Sequence, residues 1–151
     1  MAKIQRIVVH CTSDPANAVR SYAYFRRLFF DIYKWKHFGY HAIVFQDGSC
    51  QILQSLPKVY PWGGSIDDST LANGARGYNS DSLHIAYVGG IDPVSRLAHD
   101  TRTLEQKDML RIMIAKWKRQ YKITEVVGHR DLPGVRKACP CFDARKEYEN
   151  V

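Results

Sequence analysis

Long apolar runs are missing from this chain. No stretch of about 18 such residues occurs, which excludes a membrane-spanning helix. The N-terminal segment MAKIQRIVVHCTSD lacks the apolar centre and small-residue cleavage site of a secretory signal, so synthesis in the cytoplasm without a signal peptide is the expectation. Cysteine is scarce. The four, at positions 11, 50, 139 and 141, include no CxxC pair, which argues against a closed four-cysteine structural metal site. Without export, disulfides are not expected either. Repeats, low-complexity tracts and linker-like stretches are absent, so the 151 residues read as a single domain spanning 1–151. Acidic residues are outnumbered, 15 against 22 Lys and Arg, giving a net charge of +7. That excess favours an anionic partner. No basic stripe with interleaved aromatics and no nucleic-acid-binding motif accompanies it, so nucleic acid is not the expected partner. A monomer is expected.

What is present alternates between strand and helix patterns. Ile4 to His10 is short, β-branched and apolar, and reads as a buried strand. Tyr22, Phe25, Phe29 and Ile32 recur at three- and four-residue steps, which predicts a helix over Val19 to Tyr33. His41–Phe45 and Cys50–Leu53 flank Gln46-Asp47-Gly48-Ser49, a hairpin signal. Pro57 to Ser82 is long and irregular. Leu83–Val88 and Ile123–Val127 read as further strands. Thr103-Leu104-Glu105-Gln106 is a capping box that opens a helix, whose apolar face is Leu110, Met113, Ile114, Trp117 and Tyr121. A terminal helical turn is expected within Phe142–Tyr148. The fold class is therefore α/β: one domain with a mixed central β-sheet flanked by helices.

Chemistry-bearing residues gather at predicted strand ends, where α/β folds build their sites. His10 ends the first strand, His129 follows the last, and Cys139 lies ten residues further on. Two imidazoles and a thiolate would supply three zinc ligands and leave a fourth tetrahedral position open, the pattern of a catalytic metal. No short metal motif such as HExxH occurs, and from residue types alone these histidines read equally well as hydrogen-bonded core or surface residues.

Five blocks run in order along nearly the whole chain: IVVHCT (Ile7–Thr12), GYHAIVFQDG (Gly39–Gly48), ARGYNSDSLHIAYVGGID (Ala75–Asp92), DTRTLEQ (Asp100–Gln106) and GHRDLPGVRKACPCFD (Gly128–Asp143). In these the sequence resembles the zinc-dependent N-acetylmuramoyl-L-alanine amidases, particularly the short phage lysozyme-type members, and their relatives the peptidoglycan recognition proteins. The resemblance implies one Zn2+ per chain, held by His10, His129 and Cys139, with Tyr40 and Lys137 assisting catalysis. It implies as substrate bacterial peptidoglycan or muropeptides, cut at the amide between N-acetylmuramic acid and L-alanine, with the route of release to the wall left open. The rival reading is a non-catalytic peptidoglycan-binding module of the same fold. Such modules usually lose a metal ligand, and here all three positions are filled. Arg76, Asn79 and Arg130 are the expected substrate contacts, and Trp62 is a candidate for stacking on a sugar. Tyr40 and His41 are adjacent, so only one is expected to face the metal, and the resemblance favours Tyr40. Cys11, next to His10, is expected to point away from it, Cys50 to pack in the core, and Cys141 to be no ligand. Two departures stand out. Many relatives carry a histidine where this chain has Asn73-Gly74, and many have glycine where it has His84.

Overall fold

The structure is a computed structural model and describes residues 2–151. A five-stranded sheet forms its centre. β1 (Arg6–Cys11) lies between β5 (Ser82–Tyr87) and β7 (Glu125–Gly128), parallel to both. β3 (Ala42–Val44) continues the parallel run on the far side of β5, and β4 (Cys50–Ile52) closes that edge as an antiparallel hairpin. A small parallel pair, β2 (Asp14–Pro15) with β6 (Gly90–Ile91), lies beyond the strand ends. The α/β class and the mixed sheet are as the sequence indicates.

β1 and β5 are the inner strands. Every residue of β5 is buried, as is every residue of β1 after Arg6. That is why both read as near-continuous apolar runs rather than as alternating ones. The larger core cluster packs Ile7, Val9, Ile85 and Tyr87 against α2 (Leu104–Tyr121) through Leu110, Ile114 and Trp117. The expected capping box opens α2: the Thr103 hydroxyl accepts from Gln106 N–H, and the Gln106 side chain accepts from Thr103 N–H. The buried Gln106 amide also donates to the carbonyls of Val44 and Val88, tying the helix start to two strand ends.

The first helix departs from expectation. It begins at Tyr22, capped by Ser21, not at Val19, and after Arg26 it widens into a π-helix over Arg27–Ile32. Tyr33 N–H reaches back to the Leu28 carbonyl, five residues away. The wider turn rotates Ile32 off the buried stripe. Phe25 and Phe29 stay buried, while Ile32 is 59% exposed.

The C-terminal segment is held by one cation. Arg102 is buried and makes paired hydrogen bonds to Asp100 (2.9 and 3.0 Å) and to Glu147 (2.7 and 2.9 Å). Its guanidinium lies 3.3 Å from the centre of the Phe142 ring. These contacts clamp α3 (Ala144–Glu147), and the loop before it, against the start of α2. Hydrogen bonds from Arg102 hold the Glu147 carboxyl below its ordinary value. For Asp100, burial acts upward, but the bonds and charge of Arg102 together outweigh it and the net shift is down. Carboxylates depressed in the folded state stabilise it above their unfolded pKa and lose that effect as pH falls. Arg102→Ala is expected to cost about 2–3 kcal/mol in urea unfolding at neutral pH, less than a fully buried pair because both carboxylates are partly exposed. The gap between parent and variant should close below about pH 3. A gap that persists there would contradict the ion-pair account.

Candidate metal centre

Register brings the two histidines together. Val9 of β1 pairs with Gly128 of β7, so the next residues, His10 and His129, emerge side by side. Their ring centroids are 4.7 Å apart. His129 opens a short 3-10 turn, His129–Asp131, pinned where Gly128 N–H donates to the Asp131 carboxylate at 2.7 Å. Gly128 has a packing reason as well: a Cβ there would lie 2.6 Å from Pro140 Cδ.

Cys139 arrives on the loop after that turn and is fixed mostly through backbone. Its carbonyl accepts from Arg130 N–H at 2.8 Å, and its Sγ accepts from Cys11 N–H at 3.2 Å. The Tyr87 hydroxyl donates to the Pro140 carbonyl at 2.7 Å. One ligand atom from each of His10, His129 and Cys139 then falls within 4.8 Å of the other two, and His10 Nδ1 is 3.8 Å from Cys139 Sγ. Tetrahedral zinc needs ligand separations of about 3.3 Å between nitrogens and about 3.6 Å from nitrogen to sulfur. The donor set and spacing fit that ion with small side-chain adjustment.

Protonation suits the fit. Burial first, then the nearby His84, His129 and Lys137, keep His10 well below its ordinary pKa, and burial and Lys137 lower His129. Both imidazoles are therefore neutral at pH 7 with a lone pair to offer. The neighbouring Cys11 thiol, first, and burial, second, push the Cys139 thiol up.

The ligand atoms lie in a cavity of about 430 Å³ also lined by Tyr40 and Lys137. The Tyr40 ring sits 5.2 Å from the His10 ring, and its hydroxyl is 3.5 Å from the Cys11 carbonyl. Phe29 meets Tyr40 edge-on at 5.6 Å and stacks on Trp35 at 5.4 Å, so the aromatic 22–40 segment forms one wall. A second depression, of about 450 Å³, adjoins it. The two share Trp35, Asn73, Gly74, His129 and Lys137, and the second adds Arg76 and Arg136. A continuous groove thus runs past the ligand atoms, aromatic on one side and cationic on the other.

His41, the neighbour of Tyr40, is committed elsewhere: Nε2 is 2.7 Å from the Thr70 carbonyl and Nδ1 accepts from His84 N–H. Cys11 is buried in the larger core with its sulfur 3.9 Å from that of Cys141, while its backbone serves Cys139. Cys50 packs at the edge of the same core. Three expectations need correction. Asn79 lines neither depression, and its Oδ1 accepts from Ala75 N–H. Arg130 is exposed and also lines neither, and it supports the site through its backbone N–H. Trp62 stacks on Tyr60 at 5.2 Å, beside the end of α2, outside the cavity. Sequence reasoning gave His84 no role, yet its Nδ1 is 2.9 Å from His10 Nε2.

Comparison with known proteins gives this geometry its family. The N-acetylmuramoyl-L-alanine amidase family model matches residues 1–142. The chain belongs to that family. It is similar to the endolysin of Klebsiella phage KP32, at 29% identity over 99% of this chain and 93% of that one. Among solved structures it resembles the N-acetylmuramoyl-L-alanine amidase LysC from Clostridium intestinale, with a TM-score of 0.67, 20% identity, and coverage of 96% and 82% of the two chains. It also resembles a Drosophila PGRP-LB variant solved in complex with tracheal cytotoxin, with a TM-score of 0.70, 15% identity, and coverage of 99% and 82%. The chain is an amidase, and the reading as a binding module without activity is set aside.

These pKa shifts carry a signed expectation. Near neutral pH both imidazoles are already free of protons while Cys139 is not, so zinc must displace one proton. Affinity, measured by competition with a chromogenic chelator, should rise about tenfold per unit between roughly pH 7 and 8. A flat profile would contradict a cysteine ligand.

Proposed function

We propose that the chain hydrolyses the amide joining N-acetylmuramic acid to L-alanine in peptidoglycan, with one zinc ion held by His10, His129 and Cys139. The observation that carries this reading is the convergence of three donor atoms in a cavity that also contains the Tyr40 phenol and the Lys137 side chain. When bound, zinc would lower the pKa of a water molecule and polarise the amide carbonyl.

The remaining chemistry falls to this chain's own groups. An amide passes through an oxyanion when attacked, and an ammonium preset beside it stabilises that charge more than it stabilises the neutral carbonyl. Lys137, two residues before Cys139, supplies that cation. Burial, and then the Cys139 sulfur, hold the Tyr40 phenol well above its ordinary pKa, so it stays protonated and acts as a hydrogen-bond donor. In that role it orients the attacking water and carries a proton toward the leaving nitrogen. The groove suits a glycopeptide. Tyr33 and Trp35 offer partly exposed rings for a sugar face, and Arg76 offers a cation for stem-peptide carboxylates.

Likeness to a phage endolysin supports wall peptidoglycan as the working substrate. Among the described residues no helix is long and apolar enough to cross a membrane.

Cys139→Ser should leave a folded protein that has lost tight zinc binding and wall lysis together, read by equilibrium dialysis and by turbidity of purified walls. Tyr40→Phe should keep zinc at full occupancy and lose about a hundredfold in kcat. A fully active Tyr40→Phe enzyme would remove the phenol from the mechanism.

A further inference from the structure

A chain of four hydrogen-bonded groups ends on His10, and its direction can be read from the groups that have no choice. A backbone N–H can only donate and a carbonyl can only accept. Ala75 N–H donates to the Asn79 side chain at 2.8 Å, so the atom there is the oxygen. His84 Nε2 lies 2.9 Å from that same oxygen and must carry the proton between them. The other His84 nitrogen, Nδ1, is 2.9 Å from His10 Nε2. His84 is fully buried and no carboxylate is among its partners. A second proton on its ring would be an unpaired buried cation beside the ligand cluster. Nδ1 therefore accepts, and His10 Nε2 donates to it. The one nitrogen of His10 left with a free lone pair is Nδ1, the atom 3.8 Å from Cys139 Sγ.

We infer that His84, backed by Asn79, is the positioning residue that fixes His10 in its metal-binding tautomer and orientation. This rests on the reading of His10 as a metal ligand given under Proposed function. Metal-bound histidines generally donate their second ring N–H to a carboxylate, a carbonyl or water. Here the acceptor is a second imidazole, and its own polarity is set by a backbone amide two steps away. The pocket is shaped for it. A Cβ at Gly74 would lie 2.3 Å from His84 Nδ1 and 2.5 Å from Cγ, so only glycine at 74 leaves room for the ring. The two positions at which this chain departs from its relatives are thus in contact. On the far side the His84 ring lies parallel to that of His41, 6.0 Å away at an interplanar angle of 3°. His41 is locked as well: its Nε2 donates to the Thr70 carbonyl and its Nδ1 accepts from His84 N–H.

The direct test is ring-nitrogen NMR of histidine-labelled, zinc-free protein. His10, His41 and His84 should each show a proton on Nε2 and a bare Nδ1. A proton on Nδ1 of His84 or His10 overturns the inference, and this measurement does not need the metal. The second arm is zinc affinity by chelator competition. His84→Phe fills the space without an acceptor and should weaken binding about 10- to 100-fold. His84→Asn keeps an oxygen near the Nδ1 position and should recover most of that loss. Asn79→Ala, at a half-buried position where the fold is less at risk, should also weaken zinc binding, whereas a residue that only touched substrate would leave it unchanged. Unaltered affinity in both His84→Phe and Asn79→Ala overturns the inference. Failure of the parent protein to bind zinc would instead overturn the metal reading, with the tautomer result still deciding this one.

Discussion

The parallel register between β1 and β7 is the constraint on which everything else rests. Hydrogen bonds that pair Val9 with Gly128 deliver two imidazoles to one point. A one-residue slip would turn His10 to the opposite face of the sheet, because successive strand side chains alternate. The apolar residues of β1 guard against that slip. Val8 packs into one buried cluster and Ile7 and Val9 into another, so both faces are specified. The third ligand is brought in by other means. Cys139 lies on a loop, and loops hold position only where their backbone is tied. Arg130 N–H, Cys11 N–H and the Tyr87 hydroxyl do this from three separate elements, and the Arg102 clamp secures the C-terminal turn beyond Phe142.

Electrostatics around the cluster favour a dication that brings its own charge balance. The imidazoles are neutral and buried, Lys137 is the nearest cation that acts on both, and the thiol is the one ligand with a proton to lose. Loaded with zinc and a thiolate, the cluster would carry one net positive charge. A protonated Tyr40 and a cationic Lys137 beside it form a donor-rich pocket, suited to charge that develops on a carbonyl oxygen. The same pocket would be a poor host for a neutral ground state, which is the asymmetry catalysis needs.

Much of this was legible in the sequence because the signals are local. Thr103 and Gln106 are three residues apart and cap a helix in any context, and Asp47-Gly48 turns a hairpin, with Gly48 at φ +86°. The inner strands announced themselves by apolar content. What was not legible depended on tertiary contact. Nothing between residues 19 and 33 distinguishes an α-turn from the π-turn that comes after Arg26, since the choice is made by where Phe29 packs. Polar residues near a site were read as substrate contacts, yet Asn79 and Arg130 serve the scaffold, one through a side-chain oxygen and the other through a backbone N–H. His84 and Gly74 were visible as two separate oddities. Their meeting in space, across ten residues of chain, turns them into one feature.

Zinc K-edge X-ray absorption on protein loaded with a single equivalent of the metal tests the central claim most directly. The expected result is one sulfur at about 2.3 Å, with nitrogen or oxygen neighbours at about 2.0–2.1 Å and imidazole scattering from two rings. A shell with no sulfur, or with two or more, would contradict it.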